Sequence, residues 1–151
     1  MITLLLAFAA PAHAWTDENT YPGSICQPQS YAYAAHLDIS NGAITNSGTS
    51  GLYVTCPIEN DNNDDMDLIV YVVDNSTSDK ITCTLYSRSL SSASSKDSES
   101  DSTTTTFTGG DSLALAAAYG TVASYYQYLY CYIPAKTSTG SSGIYGIYVY
   151  E

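Results

Sequence analysis

Residues 124–134, SYYQYLYCYIP, place tyrosine at every second position of a short apolar run. Successive side chains of a β-strand point to opposite faces of the sheet, so this pattern predicts a strand. Leu129, Cys131 and Ile133 then point into a core. The outward side chains are Tyr126, Tyr128, Tyr130 and Tyr132. The stretch therefore predicts a sheet with one face in a core and the other covered with tyrosine.

The same period of two recurs through most of the chain. GLYVTCPI and KITCTLYSRS alternate in this way, and the more continuous apolar run MDLIVYVVD suits a central strand. At the end of the chain, Ile147 and Val149 point inward, whereas Tyr148 and Tyr150 point outward. Clusters of turn-forming residues separate these segments. Seven to nine short strands predict an all-β fold, an antiparallel β-sandwich of jelly-roll or immunoglobulin-like type.

Two segments depart from the alternation. DSLALAAAYG fits either a strand through Leu113 and Leu115, which we favour, or a short helix with Asp111 as its N-cap. Residues 89–104 are rich in serine and threonine and contain few side chains that a core could bury. We expect them to form a long solvated loop, with O-glycosylation as an alternative role.

The four cysteines allow three disulfide pairings. KITCTLYS and YLYCYIP both place cysteine among inward-facing residues, so we expect Cys83 to pair with Cys131 and Cys26 to pair with Cys56. C-x-x-C pairs are absent, which argues against a zinc ribbon or a thioredoxin-like site. Disulfides of this kind persist in oxidising compartments, so the cysteines predict an extracellular protein.

The N-terminal residues 1–14 have an apolar run that ends in Ala-His-Ala, as in a secretory signal peptide. They lack the basic residues that normally begin such a peptide, so a retained apolar arm is the alternative. The run is too short to span a membrane, which takes about 20 residues. We therefore expect a signal peptide or arm at 1–14, an extension without a place in the sandwich at 15–24, and one domain at 25–151.

The chain is strongly acidic, with four Lys or Arg against fifteen Asp or Glu and a formal net charge of −11. An acidic surface repels nucleic acids and anionic membranes, so neither is expected as a partner. Charged residues make up only 13% of the chain, about half the usual share. Serine, threonine, asparagine and tyrosine provide the polarity instead, which is typical of exposed strands in extracellular β proteins.

A series of short motifs resembles a family of small secreted bacterial proteins of unknown function. In order they are GAITNSG, VTCPI, IVYVVDNS, TCTLYSRS, YYQYLYCYIP and SGIYGIYVYE. The resemblance extends from about Ile25 to Glu151 and implies a secreted, disulfide-bonded β-sandwich. It implies no activity, substrate or catalytic residue. The chain differs from the family after Cys56-Pro57, where a basic residue is common and Glu59 stands here.

The residues needed for common enzymatic sites are sparse, so we expect no enzymatic activity. His36 is the only histidine outside the N-terminal segment, and the chain has no G-x-S-x-G motif. The carboxylate pairs Asp97 with Glu99 and Asp64 with Asp65 lie in polar segments that would not hold them at a fixed separation.

Calcium is a weak candidate ligand, and otherwise no cofactor is expected. ENDNNDDMD offers hard oxygen ligands of the kind that calcium prefers. These are Glu59, Asp61, Asn63, Asp65 and Asp67. The segment does not fit an EF-hand, and a polar hairpin turn is the alternative. Asn75-Ser76-Thr77 is a sequon for N-glycosylation in secreted proteins.

Tyrosine is the residue type that points to a function. Fifteen tyrosines accompany two phenylalanines, and tyrosine combines a large apolar ring with a hydrogen-bonding tip. A purely structural role is a cross-strand ladder of Tyr126–Tyr132 against Tyr148 and Tyr150. We favour a secreted structural subunit that self-associates through these tyrosines, with the N-terminal segment adding a strand to a neighbouring copy. The alternative is a carbohydrate-binding module in which the same tyrosines stack on a glycan.

Overall fold

A computed structural model describes residues 18–59, 66–89, 95–104, 109–117 and 125–150 of the chain. The described residues contain eleven strands, a 3₁₀ turn at Gly23–Ile25 and the four-residue helix α1 at Tyr31–Ala34. The strands are β1 (Glu18–Pro22), β2 (Gln27–Pro28), β3 (Leu37–Ser40), β4 (Ala43–Asn46), β5 (Leu52–Ile58), β6 (Met66–Asp74), β7 (Thr82–Ser89), β8 (Ser95–Ser102), β9 (Gly109–Ala117), β10 (Tyr125–Ile133) and β11 (Gly143–Tyr150).

The strands form two antiparallel sheets in a jelly-roll order. Sheet A contains β3-β4-β11-β6-β9, with β1 also paired to β11, and sheet B contains β2-β5-β10-β7-β8. From β4 onward the chain crosses repeatedly between the sheets, and the first strand of this series pairs with the last. That is the order of a two-sheet jelly roll. The predicted antiparallel β-sandwich is confirmed, and the order of the strands selects the jelly roll over the immunoglobulin-like alternative.

The core lies between the sheets and is built from the inward residues of the alternating strands. β5 shows strict alternation of buried and accessible residues, as its sequence predicts. β6 is a central strand, as its apolar run predicts, and its residues also alternate between buried and accessible. Met66, Leu68, Val70 and Val72 are at most 2% exposed. Burying a side chain of this size stabilises the fold by about 1.5–3 kcal/mol.

Both disulfides lie in the core, and both have the predicted pairing. Cys26 bonds to Cys56 of β5, and Cys83 of β7 bonds to Cys131 of β10. Cys83 and Cys131 are direct cross-strand partners in the register of sheet B. All four cysteines are at most 2% exposed. The first bond therefore joins the residue before β2 to β5, and the second links β7 to β10 within sheet B.

The N-terminal extension predicted at 15–24 is not outside the sandwich, because residues 18–22 form β1. This strand pairs with β11 from Glu18 opposite Tyr150 to Pro22 opposite Gly146. β4 pairs only with the beginning of β11, so β1 supplies partners for the rest of that edge. Gly23 then passes so close to β11 that a Cβ would lie 2.1 Å from the Ile144 carbonyl oxygen. The prediction failed because β1 is too short and polar for hydropathy to reveal it.

The predicted loop at 89–104 is also wrong in part, because β8 occupies residues 95–102 and pairs with β7. From Asp97 to Ser102 the sequence of β8 alternates, but it alternates acidic residues with serine instead of apolar with polar ones. An edge strand can pair through its backbone without an apolar face. Thr103, directly after β8, is 1% exposed. DSLALAA forms part of β9, which confirms the strand that we favoured over a helix.

The carboxylates of β8 occupy the open edge of the other sheet. β9 is the last strand of sheet A, so alternate N–H groups of β9 face away from β6. The Ala114 N–H donates to Asp101 Oδ2 at 3.0 Å, and the Ala116 N–H donates to Glu99 Oε2 at 2.7 Å. Carboxylates of sheet B thus accept hydrogen bonds from backbone N–H groups at the edge of sheet A. Acidic groups at an edge also hinder pairing with another chain.

Asp74 is a buried carboxylate at the end of β6. Its Oδ1 accepts hydrogen bonds from the Ser76 N–H at 2.9 Å and the Ser142 hydroxyl at 3.1 Å. Its Oδ2 accepts from the Ile81 N–H at 3.2 Å and from the Thr103 hydroxyl. Four donors compensate for the loss of water around this fully buried group. Asp74 thereby joins the ends of both sheets.

Candidate functional site

Six tyrosines form a continuous row of rings on the outer face of sheet B. We call this row the tyrosine ladder, and its members are Tyr53, Tyr86, Tyr126, Tyr128, Tyr130 and Tyr132. β10 contributes four of them because it alternates tyrosine with core residues. β5 and β7 flank β10 and contribute one tyrosine each. The predicted outward direction of the β10 tyrosines is confirmed.

The rings of the ladder stack against one another. The ring centroids of Tyr53 and Tyr130 are 5.1 Å apart with an interplanar angle of 10°. Tyr86 and Tyr128 are 5.3 Å apart at 20°, and Tyr126 lies 5.9 Å from Tyr128 at 23°. Such pairs contribute about 0.5–1.5 kcal/mol beyond their buried area. Stacking covers ring faces, so the ladder presents mainly ring edges and hydroxyl groups.

Arg88 of β7 adds a positive charge to the ladder. Its guanidinium carbon lies 5.7 Å from the ring centroid of Tyr86 and 5.5 Å from that of Tyr128. These distances are within the range of a cation–π interaction. Burial is the main cause that raises the pKa of Tyr128, and the Arg88 charge acts in the opposite direction. The raised pKa keeps the Tyr128 hydroxyl protonated at physiological pH, so it can donate and accept hydrogen bonds.

One end of the ladder depends on a glycine. A Cβ at Gly51 would lie 2.0 Å from the hydroxyl oxygen of Tyr132. The absence of a side chain at this position leaves room for the Tyr132 ring, which lies 5.2 Å from that of Tyr53. In the middle of the ladder, the Tyr130 hydroxyl donates to Gln29 Oε1 at 2.9 Å. The space at Gly51 and the hydrogen bond to Gln29 therefore determine the orientations of the Tyr132 and Tyr130 side chains.

The predicted ladder of Tyr126–Tyr132 against Tyr148 and Tyr150 is wrong, because β10 and β11 belong to different sheets. Tyr148 and Tyr150 lie on the outer face of sheet A, on the opposite side of the sandwich. Their ring centroids are 4.4 Å apart at 82°. The residues that sequence reasoning missed as ladder partners are Tyr53 and Tyr86. Alternation predicts that both point outward, but it does not show which strands are neighbours.

We call the outer face of sheet A the acidic face, since its exposed carboxylates are Glu18, Asp38 and Asp67. Two shallow depressions of about 470 Å³ each lie on it. Ala114, Ala116 and Ile69 line the first. Gly110 and Ser112 line the second, beside Tyr71 and Tyr145. Small side chains of β9 create these depressions between larger tyrosines.

Glu18 of β1 holds Tyr148 of β11 on the acidic face. The Tyr148 hydroxyl hydrogen-bonds to the Glu18 carboxylate, and this contact is the main cause that raises the pKa of Tyr148 to about 12. The bond favours the protonated phenol, because only the protonated form can donate a hydrogen bond to the carboxylate. It also ties the short strand β1 to its partner.

The other candidate site residues are not assembled into a catalytic or metal centre in the described part of the chain. Among the weak calcium ligands, Glu59 and Asp67 are exposed, and the other three (Asp61, Asn63 and Asp65) lie outside the described residues, as does the Asp64 and Asp65 pair. No group of three His, Cys, Asp or Glu that could hold a metal occurs among the described residues. Glu99 binds a backbone N–H of β9, and the side chain of Asp97 is not described.

His36 and Asn75 lie in turns away from the ladder. The His36 side chain is exposed, and its backbone carbonyl accepts a hydrogen bond from the Ser47 N–H at 2.8 Å. Asn75 Nδ2 donates to the Ser141 carbonyl oxygen at 2.8 Å. Asn75 is half-buried, and its glycosylation stays a prediction.

No known protein-family model matches the chain, and a search of curated proteins found no similar sequence. The resemblance to a family of small secreted bacterial proteins therefore stays a prediction. The described residues contain no helix with the length and apolar character needed to cross a membrane. The tyrosine ladder and the acidic face are the features on which a function can be argued.

Proposed function

We propose that this protein is a secreted structural subunit that self-associates, and that the tyrosine ladder forms contacts between copies. The observation that carries this proposal is the continuous row of six rings on the outside of sheet B. Tyr53 and Tyr126 of the ladder are 37% and 46% exposed. Tyrosine is enriched at protein–protein interfaces because it offers a large rigid area and a hydrogen-bonding tip.

Two further features support an extracellular scaffold. The disulfides Cys26–Cys56 and Cys83–Cys131 suit an oxidising compartment. Charged residues are only 13% of the chain, so another copy can cover much of the surface without desolvating many charged groups. The jelly roll itself hosts many functions and does not select one.

The geometry of the ladder favours protein contact over sugar binding. A sugar ring stacks on the open face of an aromatic ring. In the ladder, the faces of Tyr53 and Tyr130 cover each other, as do those of Tyr86 and Tyr128. The exposed ring edges and hydroxyls instead suit hydrogen bonds and side-chain packing against another protein surface.

The proposal is tested by light scattering of the purified secreted protein over a range of concentrations. The average mass should rise with concentration, and Tyr128→Ser should remain monomeric because it interrupts the ladder. Tyr31→Ser is the matched control, since Tyr31 of α1 is 96% exposed and outside the ladder. This control should behave like the natural protein. A monomer at every concentration that binds a defined oligosaccharide through Tyr128 would overturn the proposal in favour of a carbohydrate-binding module.

A further inference from the structure

The two outer faces of the sandwich differ in charge and shape in a way that makes them complementary. We propose that copies associate head to tail, with the tyrosine ladder of one copy packed on the acidic face of the next. This inference rests on the proposed self-association and specifies its geometry. A second copy of this chain is the occupant of both faces.

Charge separates the two faces. β2, β5, β7 and β10 of sheet B contain a single charged residue, Arg88. The fifth strand, β8, is rich in charged residues, but its Glu99 and Asp101 bind the edge of β9 and so face sheet A instead of the ladder. The strands of sheet A contain no lysine or arginine, and the carboxylates on their outer side are Glu18, Asp38 and Asp67. Asp79, from the loop between β6 and β7, is the acidic group that lines one end of the ladder.

These charges select between the possible pairings of faces. Two acidic faces placed together would oppose three carboxylates with three others, and two ladders would oppose Arg88 with Arg88. A ladder against an acidic face instead brings Arg88 toward carboxylates. Complementary potentials of this kind determine which surfaces meet and in what orientation.

Shape points to the same pairing. The ladder presents large rings, and Tyr126 is 46% exposed. The acidic face has depressions of about 470 Å³ each, over Ala114 and Ala116 in one case and over Gly110 and Ser112 in the other. A depression of this size has room for a tyrosine side chain. Large side chains that fill pockets at the centre of a contact typically contribute most of its free energy.

The position of the faces determines the kind of assembly. They lie on opposite sides of one sandwich, so a copy that binds through one face leaves the other free. A head-to-tail contact that does not close into a ring produces an open filament. At two positions strand addition is hindered, because Glu99 and Asp101 occupy edge N–H groups of β9 and β1 already covers β11.

The inference is tested by mixing two variants that each have one blocked face. Ala114→Arg fills a depression of the acidic face, and Tyr53→Glu places a carboxylate in the ladder. Both side chains are exposed, and unchanged unfolding midpoints confirm that each variant folds. Tyr126→Glu replaces Tyr53→Glu if the latter fails this check. Masses are measured by light scattering for each variant alone and for an equimolar mixture.

Head-to-tail association predicts that each variant alone is monomeric and that the mixture forms a dimer that does not grow further. The intact ladder of one variant then binds the intact acidic face of the other. If Ala114→Arg alone still forms dimers, the contact joins two ladders and the inference is overturned while self-association stands. A mixture that stays monomeric also overturns it. A natural protein that never associates contradicts the proposed function itself.

Discussion

Asp74 and the ladder tyrosines place polar groups in two different ways, the first in the core and the second at the surface. Asp74 is fully buried, and backbone and hydroxyl donors surround both of its oxygens. Tyr128 and Tyr130 keep their hydroxyls near the surface while their rings stack on those of Tyr86 and Tyr53. The sequence predicts the second arrangement, because alternation places these tyrosines outward. It does not predict the first, since the donors to Asp74 come from residues up to 68 positions away.

Replacing Asp74 by asparagine tests the buried hydrogen-bond network. Asp74→Asn places an NH₂ group opposite hydrogen-bond donors, and at least one donor loses its acceptor. We expect the free energy of unfolding to fall by about 1–3 kcal/mol. Chemical denaturation with the disulfides intact measures this change. Asp79→Asn is the control, because Asp79 is exposed and should change little. Equal unfolding midpoints for the two variants would contradict the role given to Asp74.

Glu18 determines the unusual titration of Tyr148. Glu18→Gln should lower the pKa of Tyr148 from about 12 toward 10.0, because it removes the charged carboxylate that accepts the phenol's hydrogen bond. The folded pKa lies above the unfolded one, so this contact stabilises β1 below pH 10 and the stabilisation is lost as the pH rises through 12. The Cζ chemical shift of Tyr148 reports the titration by NMR. Asp38→Asn, which removes a carboxylate from β3, should leave it unchanged.

At the scale of strands, alternation of apolar and polar residues predicts β5, β7, β10 and β11 well. It fails for β1 and β8. Both strands pair with a neighbour through their backbones, and their side chains are mostly polar or charged. It also leaves the neighbours of each strand undetermined. For that reason the tyrosines of β10 were expected beside those of β11, whereas β5 and β7 lie beside them.

The carboxylates of β8 should protect the edge of β9. A double variant, Glu99→Ala with Asp101→Ala, frees the N–H groups of Ala114 and Ala116 from their acceptors. We expect these two amides to exchange with solvent faster, because their protection comes from those side chains. Hydrogen exchange followed by NMR measures the two amides directly.

The matched control for this edge is Glu59→Ala with Asp79→Ala, which removes the same charge from exposed positions. Unchanged exchange of Ala114 and Ala116 in the β8 variant, relative to this control, would show that the carboxylates do not protect the edge.

At the scale of the whole molecule, the sandwich separates two unlike faces. Composition predicts an acidic protein with few charged residues, and the jelly-roll order determines where those charges lie. The strands of sheet A carry carboxylates without lysine or arginine, whereas Arg88 stands within the tyrosine ladder. This asymmetry could not be predicted from the sequence, because it depends on which strands share a sheet. It is the basis for expecting open-ended association of identical copies.

Chemical labelling of individual tyrosines tests the contact between copies most directly. Modified tyrosines are identified by mass spectrometry at protein concentrations below and above the onset of association. Tyr53 and Tyr126 of the ladder, and Tyr71 and Tyr145 of the acidic face, should lose reactivity together as the average mass rises. Tyr31, which is 96% exposed on α1, should stay reactive throughout. Assemblies that grow while the ladder tyrosines keep their full reactivity would contradict the proposed contact.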